Sequence, residues 1–255
     1  MLDHVTAVRY VTPLREGGSM PGIVEADDLG TYVVKFHGAG QGVKVLVTEI
    51  IVGELARRLG LPVPRMVTIT LPPAIARYEA DEEVQDLLNA SPGTNLGVDL
   101  LPGSLGYDGS RPPDAELASR ILWLDAFTAN IDRTWSNPNL LTWHRRTWLI
   151  DHGAALYFHH SWPSKEPNPQ RFAAQPFRAE EHVLGALATD LPGTHQELSD
   201  QVTADLIGDV LDQVPEEWLE TTTHLPDAQA VHSAYRDHLL ARLASPQVWL
   251  PGGAA

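Results

Sequence analysis

The chain has 255 residues, of which 43% are hydrophobic and 20% charged, and it carries a formal net charge of -15 at pH 7 with no cysteine. Such a composition is typical of a globular protein, and it excludes disulfides and thiolate metal sites. The acidic balance argues against nucleic-acid and membrane binding, since both require a basic surface. No apolar run reaches the roughly 20 residues that span a bilayer, and the N-terminus lacks the basic start of a signal peptide. We therefore expect a cytoplasmic protein.

The first hundred residues predict a sheet interrupted by one long helix. Apolar residues at i, i+4 spacing predict this helix over residues 46–59, and Gly60 ends it. A shorter polar helix is predicted over residues 80–89. The β-prone segments predict strands over residues 5–10, 23–26, 31–36, 65–71 and 96–101.

A glycine-rich turn follows the first predicted strand and contains Gly17, Gly18 and Ser19. Glycine backbone can approach a phosphate closely and point N–H groups at it. The turn matches neither the Walker pattern nor the dinucleotide fingerprint. From these residues alone, a phosphate-binding loop and an ordinary hairpin turn are both open.

Two charged residues of this half are candidates for a buried ion pair. Lys35 lies on the third predicted strand and shares a face with Val33, which by itself is compatible with simple solvation. Glu49 lies on a small, apolar flank of the long helix, where a carboxylate needs a partner, and Lys35 is a plausible one. Alternatively, Glu49 only favours the first helical turn through the helix dipole. Glu54, in contrast, is expected to pair with Arg58 on an exposed face.

The second half is predicted to be mostly helical. Residues 102–113 contain three glycines and three prolines, and they form the best candidate for a boundary. Residues 157–178 are rich in Trp, Pro, His and Asn and are predicted to be irregular. Helices are predicted over residues 114–130, 180–189, 199–214 and 227–244.

The chain is organised around a polar stretch in its middle, residues 130–153. Asp132 and Asn137 lie five positions apart, and a predicted hairpin over residues 140–143 and 147–150 follows them. Asp151 stands directly after the second strand of this hairpin. Three oxygen-bearing side chains at the two ends of one hairpin are suited to Mg²⁺ and phosphate. Taken singly, each of them could simply form a turn.

The order of these motifs resembles the protein-kinase-like fold, and within it the HipA-like kinase family. The residues that carry the resemblance are residues 33–36, 48–64, 130–137 and 149–153. The resemblance implies an α+β, two-lobed fold. Its β-rich N-lobe would span residues 1–102 and include the long helix, and its helical C-lobe would span residues 103–255.

The resemblance also implies roles for the catalytic and metal-binding residues. Asp132 would be the catalytic aspartate that accepts the proton of the acceptor hydroxyl or orients that hydroxyl. Asn137 and Asp151 would hold Mg²⁺ against the phosphates of ATP. Lys35 would contact the α- and β-phosphates, and Glu49 would pair with it.

The remaining implied roles concern the nucleotide. Gly17, Gly18 and Ser19 would lie in the loop that covers the phosphates, and Ser19 is either an autophosphorylation site or a turn former. The hinge segment beside the adenine would contain Leu96, Asp99 and Leu101. His152 stands where eukaryotic protein kinases carry Phe, and Asn130-Ile131 replaces their His-Arg.

The resulting prediction is an ATP- and Mg²⁺-dependent Ser/Thr protein kinase of HipA-like type. Such a protein would belong to a toxin–antitoxin or regulatory pair, with an antitoxin-like partner. Three alternatives remain open from the sequence. They are a small-molecule phosphotransferase on the same fold, a nucleotide-binding pseudokinase, and a metallohydrolase built on Asp151, His152 and later histidines.

Overall fold

The computed structural model describes residues 1–15 and 20–252, so Gly17, Gly18 and Ser19 lie outside the described residues. The chain divides into two compact units. We term them the barrel unit, Met1–Leu46 and Pro64–Pro102, and the helical unit, Val47–Val63 and Gly103–Ala255. One unit boundary falls after residue 102, and residues 47–63 belong to the helical unit. The division into an N-lobe of residues 1–102 and a C-lobe of residues 103–255 stays a prediction.

The barrel unit is a closed sheet of five strands. The strands are β1 (Asp3–Pro13), β2 (Gly22–Ala26), β3 (Thr31–Lys35), β4 (Met66–Leu71) and β5 (Gly93–Asp99). They close in the order β1-β2-β3-β5-β4. The closing contact is parallel, with Val5 of β1 opposite Ile69 of β4, whereas the other pairs are antiparallel. All five strands were predicted, but their closure was not.

Alternation along β3 shows how the sequence fills the barrel. Tyr32 and Val34 are fully buried and Phe36 nearly so, while Val33 and Lys35 are half-buried, which confirms the predicted two faces of this strand. Gly97 of β5 lies opposite Val34, and its lack of a side chain leaves room for Val67. A Cβ atom at Gly97 would lie 2.8 Å from Cγ2 of Val67, which is closer than atoms pack.

Two helices of the first half occur close to where they were predicted. The long helix α1 spans Val43–Arg58, and the polar helix α2 spans Glu82–Asn89 behind the capping side chain of Asp81. The prediction for Glu54 was wrong. Its side chain is only 3% exposed and accepts hydrogen bonds from Nε and Nη2 of Arg57, at 2.9 and 2.6 Å. Arg58 instead lies 3.7 Å from the carboxylate of Asp209.

The helical unit contains the remaining elements. Its helices are α3 (Ala115–Thr128), α4 (Pro169–Ala173), α5 (Leu191–Ser199), α6 (Ala204–Leu211), α7 (Ala228–Leu243) and α8 (Pro246–Trp249). Its strands are β6 (Leu105–Gly106), β7 (Leu140–Trp143) and β8 (Arg146–Leu149), which form one antiparallel sheet. The predicted hairpin, the helix over residues 114–130 and the helix over residues 227–244 are confirmed.

One helix prediction was wrong and another was too long, because side chains bond locally to the backbone. Residues 180–189 form a single 3-10 turn over Ala179–Glu181 and further turns, in which the N–H of Leu184 bonds to the ring of His182. The helix predicted over residues 199–214 is present but shorter, as α6 over Ala204–Leu211, because the side chain of Thr203 caps its N-terminus; Ser199 is the last residue of α5.

The core of the helical unit is aromatic and includes a buried arginine. The rings of Trp123, Phe127 and Trp249 lie 5.2 to 5.9 Å from one another. Arg242 is fully buried beneath Trp249 and donates to the carbonyl oxygens of Ala126, Phe172 and Gln175. Within residues 1–15 and 20–252, no helix has both the length and the apolar character needed to cross a bilayer.

Candidate active site

The end of α3 places the polar loop of residues 130–139. Ala129 adopts a left-handed conformation with φ of 56°, which ends the helix, and the N–H of Asn130 bonds to the carbonyl of Asp125 at 2.8 Å. The chain thus leaves the helix sharply and presents residues 131, 132 and 134–137 near the surface, while Arg133 is buried. Asn130 itself is fully buried, while Asp132 is half-buried and Asn137 exposed.

Two amide side chains of this loop hold Asp132. Oδ2 of Asp132 accepts hydrogen bonds from Nδ2 of Asn137 at 2.7 Å and from Nδ2 of Asn139 at 3.2 Å. The backbone N–H of Asp132 donates to Oδ1 of Asn130 at 3.2 Å. The carboxylate is therefore held at the loop surface by two asparagines, and the backbone of Asp132 is held by a third. Because Nδ2 of Asn137 is bonded to Asp132, its amide oxygen is the atom directed to other partners.

The hairpin β7–β8 brings Asp151 to the same end as this loop. Leu140 lies opposite Leu149, and the N–H of Ile150 donates to the carbonyl of Asn139 at 3.1 Å. Asp151 follows at once in a left-handed conformation, with φ of 54°, and is exposed. A non-glycine residue in that conformation is uncommon and is often found at functional sites. The predicted placement of Asp132, Asn137 and Asp151 around one hairpin is what the backbone pairing produces.

A buried carboxylate anchors the loop from below. Asp125 of α3 is fully buried, and its Oδ2 lies 2.6 Å from Nε of Arg133 and 3.0 Å from Nε2 of His182. Its Oδ1 accepts from Nδ2 of Asn130 at 2.9 Å. Arg133, in turn, donates to the carbonyls of Asn139 and Ile150, which precede and follow the hairpin. One carboxylate thus supports both ends of the site.

The charges of this cluster are balanced within the protein interior. Burial raises the pKa of Asp125, but the charge of Arg133 and the hydrogen bonds from His182 and Arg133 outweigh it, so the pKa lies well below its usual value. Nδ1 of His182 accepts from the N–H of Leu184 at 3.1 Å, which leaves Nε2 to donate to Asp125. The same segment is tied down by the N–H of Val183, which donates to the carbonyl of Arg133 at 3.0 Å.

Sequence reasoning missed four of these supporting residues, namely Asn139, Asp125, Arg133 and His182. Asp125 had a detectable signal, because it lies in the apolar run Leu124–Phe127 of a predicted helix, where an acid requires a partner. Asn139 and Arg133 lie inside the stretch that was singled out. His182 is 57 residues from Asp125 in the chain and carried no local signal.

The residues predicted to bind the nucleotide belong to both units. In the barrel unit, Lys35 ends β3 and lies opposite Leu96 of β5. Leu96 is fully buried, Leu101 is 8% exposed, and Asp99 lies 3.4 Å from Arg65. In the helical unit, Glu49 of α1 is 2% exposed, which confirms its expected burial. The pairing of Lys35 with Glu49 and the hinge role of residues 96–101 stay predictions.

The donor set of the loop fits a hard divalent cation. Asn137 offers an amide oxygen and Asp151 a carboxylate, and Mg²⁺ is usually held by one or two such groups together with phosphate oxygens. In the part of the chain that the structure describes, no group of three or more His, Asp or Glu side chains is positioned to hold a metal. The assignment of Asn137 and Asp151 as ligands of such a cation stays a prediction.

Comparison with solved structures identifies the fold. The crystal structure of CtkA, a proinflammatory kinase of Helicobacter pylori, matches with a TM-score of 0.54 at 11% identity, covering 96% of this chain and 99% of that one. A Golgi casein kinase with Mn and ADP bound matches with a TM-score of 0.48 at 12% identity, covering 98% and 75%. A further Golgi casein kinase structure matches with a TM-score of 0.45 at 12% identity, covering 98% and 74%. The match to CtkA shows that the fold is kinase-like.

The family follows from the sequence. The family model described as HipA-like kinase matches residues 7–251, which is nearly the whole chain. The chain therefore belongs to the HipA-like kinase family, and the predicted resemblance is confirmed. A comparison with curated proteins gives no match.

Proposed function

We propose that this chain is an ATP- and Mg²⁺-dependent Ser/Thr protein kinase with two lobes, residues 1–102 and 103–255. The observation that carries the proposal is the geometry around Asp132. Its carboxylate is held at the loop surface by Asn137 and Asn139, and the hairpin beside it ends at Asp151. Membership of the HipA-like kinase family supports the same chemistry.

Asp132 acts on the acceptor hydroxyl. The hydroxyl oxygen forms a bond to the γ-phosphorus of ATP, the bond from that phosphorus to the bridging oxygen breaks, and ADP leaves. Asp132 accepts the hydroxyl proton through its carboxylate, whose orientation Asn137 and Asn139 maintain. Asn137 and Asp151 would hold Mg²⁺, which offsets the negative charge of the phosphates when it is bound.

The other proposed roles rest on the family. Lys35 contacts the phosphates, and Glu49 orients it through an ion pair. The phosphate-covering loop would include Gly17, Gly18 and Ser19, and the adenine would lie against Leu96, Asp99 and Leu101. The location in the cytoplasm, the autophosphorylation of Ser19 and the antitoxin-like partner stay predictions.

Calorimetric titration and a transfer assay test the proposal together. The wild type is titrated with ATP in the presence and absence of Mg²⁺, and the titration is repeated with Asp151→Ala. We expect Mg²⁺-dependent binding that Asp151→Ala loses, because the variant lacks the carboxylate ligand. Asp132→Ala should retain nucleotide binding but lower phosphoryl transfer by roughly 10²- to 10⁴-fold, which is the usual contribution of a general base.

A matched control variant distinguishes a specific loss of the site from a general loss of structure. Asp205 is exposed in the first turn of α6, so Asp205→Ala also removes one surface carboxylate from the helical unit and should leave binding and transfer unchanged. If Asp132→Ala kept wild-type turnover, the assignment of the base would be wrong. If the wild type bound the nucleotide but transferred its phosphoryl group to no acceptor, not even to its own residues, the result would instead favour a pseudokinase.

A further inference from the structure

A cavity of about 310 Å³ opens beside the proposed base. One of its walls is made of Asn130, Ile131 and Arg133, which are the chain neighbours of Asp132. The opposite wall comes from Pro176 and Phe177, in the segment before the 3-10 turn Ala179–Glu181. All of these residues belong to the helical unit. We term this space the acceptor cavity.

The deep part of the acceptor cavity has little hydrogen-bonding capacity to offer. The side chain of Asn130 bonds to Asp125 and to the N–H of Asp132. His182, which also lines the cavity, uses both ring nitrogens on Asp125 and on the N–H of Leu184. Since these polar groups are already bonded within the protein, the floor presents mainly carbon to a ligand.

The walls and the rim differ in character. Ile131 is 68% exposed, which leaves a large apolar side chain facing solvent directly beside Asp132. Phe177 is half-buried on the other side. At the rim, Arg178 and Glu181 are exposed and lie 3.7 Å apart. An apolar centre surrounded by a polar rim is the usual anatomy of a surface that recognises protein.

The cavity is built on paired backbone, so its shape does not depend on a ligand. Thr134 and His182 form an antiparallel bridge between the two walls. The N–H of Val183 donates to the carbonyl of Arg133 at 3.0 Å between the same segments. With a volume at the small end of the roughly 300–1,000 Å³ of ligand sites, the cavity suits one side chain better than a large ligand.

We infer that the acceptor cavity binds an apolar side chain of a polypeptide phosphoacceptor, next to the hydroxyl that is phosphorylated. This inference rests on the proposed function. Ile131 adjoins Asp132, and an extended chain advances by about 3.3–3.6 Å per residue. The apolar residue therefore stands one or two positions from the acceptor Ser or Thr. The polar groups of the cavity floor already form hydrogen bonds within the protein, and the walls are apolar. Such a cavity does not favour a small polar acceptor, so we favour a protein substrate over a small molecule.

The test uses the full chain with Mg²⁺-ATP and a library of Ser- and Thr-centred peptides that are varied at each flanking position. We expect Leu, Ile, Met or Phe to be preferred over Gly or Asp by about 10-fold or more in kcat/KM, as burial of one large apolar side chain implies. The preference should occur at one fixed position within two residues of the hydroxyl.

Two variants connect that preference to the cavity. Phe177→Ser should lower the preference and raise the KM for the peptide without changing the KM for ATP. Ile131→Glu should convert it into a preference for Lys or Arg at the same position, a gain that structural damage would not produce. The control Leu29→Ser changes a 96% exposed apolar residue of the barrel unit and should keep the wild-type preference.

The outcomes distinguish this inference from the proposed function. Transfer to peptides without a flanking apolar preference, or a preference that both variants retain, would overturn the role of the cavity alone. Transfer to small alcohols or to the chain itself, with none to any peptide, would also overturn it. If the wild type neither bound nor hydrolysed ATP, the proposed function would fail and the inference with it.

Discussion

Replacement of Asp125 by Asn should strongly destabilise the helical unit. The substitution keeps the size of the side chain but removes the charge that the fully buried Arg133 guanidinium faces at 2.6 Å. It also turns an amide N–H₂ toward Arg133 or His182, which are themselves donors at this point. Removal of one partner of a buried ion pair typically costs about 3–5 kcal/mol.

The sequence provides a spectroscopic assay for this unit alone. All seven tryptophans lie between residues 123 and 249, within the helical unit. Urea unfolding followed by tryptophan fluorescence therefore reports the helical unit and not the barrel unit. With a slope of about 1–3 kcal/mol per molar urea, the midpoint of Asp125→Asn should fall by at least about 1 M.

Two comparisons make the Asp125 experiment decisive. The control Glu197→Gln removes an ion pair with Arg120 in which Glu197 is 53% exposed, and it should cost less than about 1 kcal/mol. The pKa of Asp125 is lowered in the folded state, so its contribution is fully present above the unfolded value near 4 and is lost as the pH falls further. A loss below about 1 kcal/mol in Asp125→Asn at pH 7, or one equal to that of the control, would refute the reasoning.

Two further predictions concern the barrel core and acid sensitivity. Gly97→Val should destabilise the barrel unit by about 1–3 kcal/mol through overpacking against Val67, and hydrogen exchange of that unit, residues 1–46 and 64–102, should accelerate; unchanged exchange would contradict this. Burial lowers the pKa of His238, which stacks on Phe158 at 4.2 Å, so the helical unit should lose stability as the pH falls below about 6.5, by up to about 1.4 kcal/mol per pH unit. His238→Gln should reduce that slope, and an equal slope in the variant would rule His238 out as its source.

Local patterns predicted much of the fold because local forces decide it. The strands of the barrel unit and the helix α1 follow alternation and i, i+4 spacing, and both survive in the structure. Closure of the barrel could not be predicted in this way. It depends on parallel pairing of β1 with β4, in which Val5 meets Ile69 across more than sixty residues of chain. Periodicity describes which face of a strand is buried, but not which strand lies beside it.

The candidate site likewise has parts that local sequence patterns predict and parts that depend on contacts between distant segments. The placement of Asp132, Asn137 and Asp151 near one hairpin could be predicted because a two-strand hairpin has few ways to fold, and its chain ends then lie together; their role stays a prediction. The support beneath them depends on contacts between distant segments, such as that of Asp125 with His182. The helix predicted over residues 180–189 failed at the same point, since the ring of His182 bonds to Asp125 and to the N–H of Leu184 instead of leaving the backbone to a helix.

Closure of the barrel also limits how another protein can bind this unit. β1 pairs with β4 through Asp3–Thr6 and with β2 through Ala7–Pro13, so none of the five described strands presents an edge that is open along its whole length to a foreign strand. We therefore expect a protein that recognises the barrel unit to contact its side chains rather than to extend its sheet. Loss of β1 would expose β2 and β4 together, and it would convert a closed sheet into one with two edges that are prone to self-association.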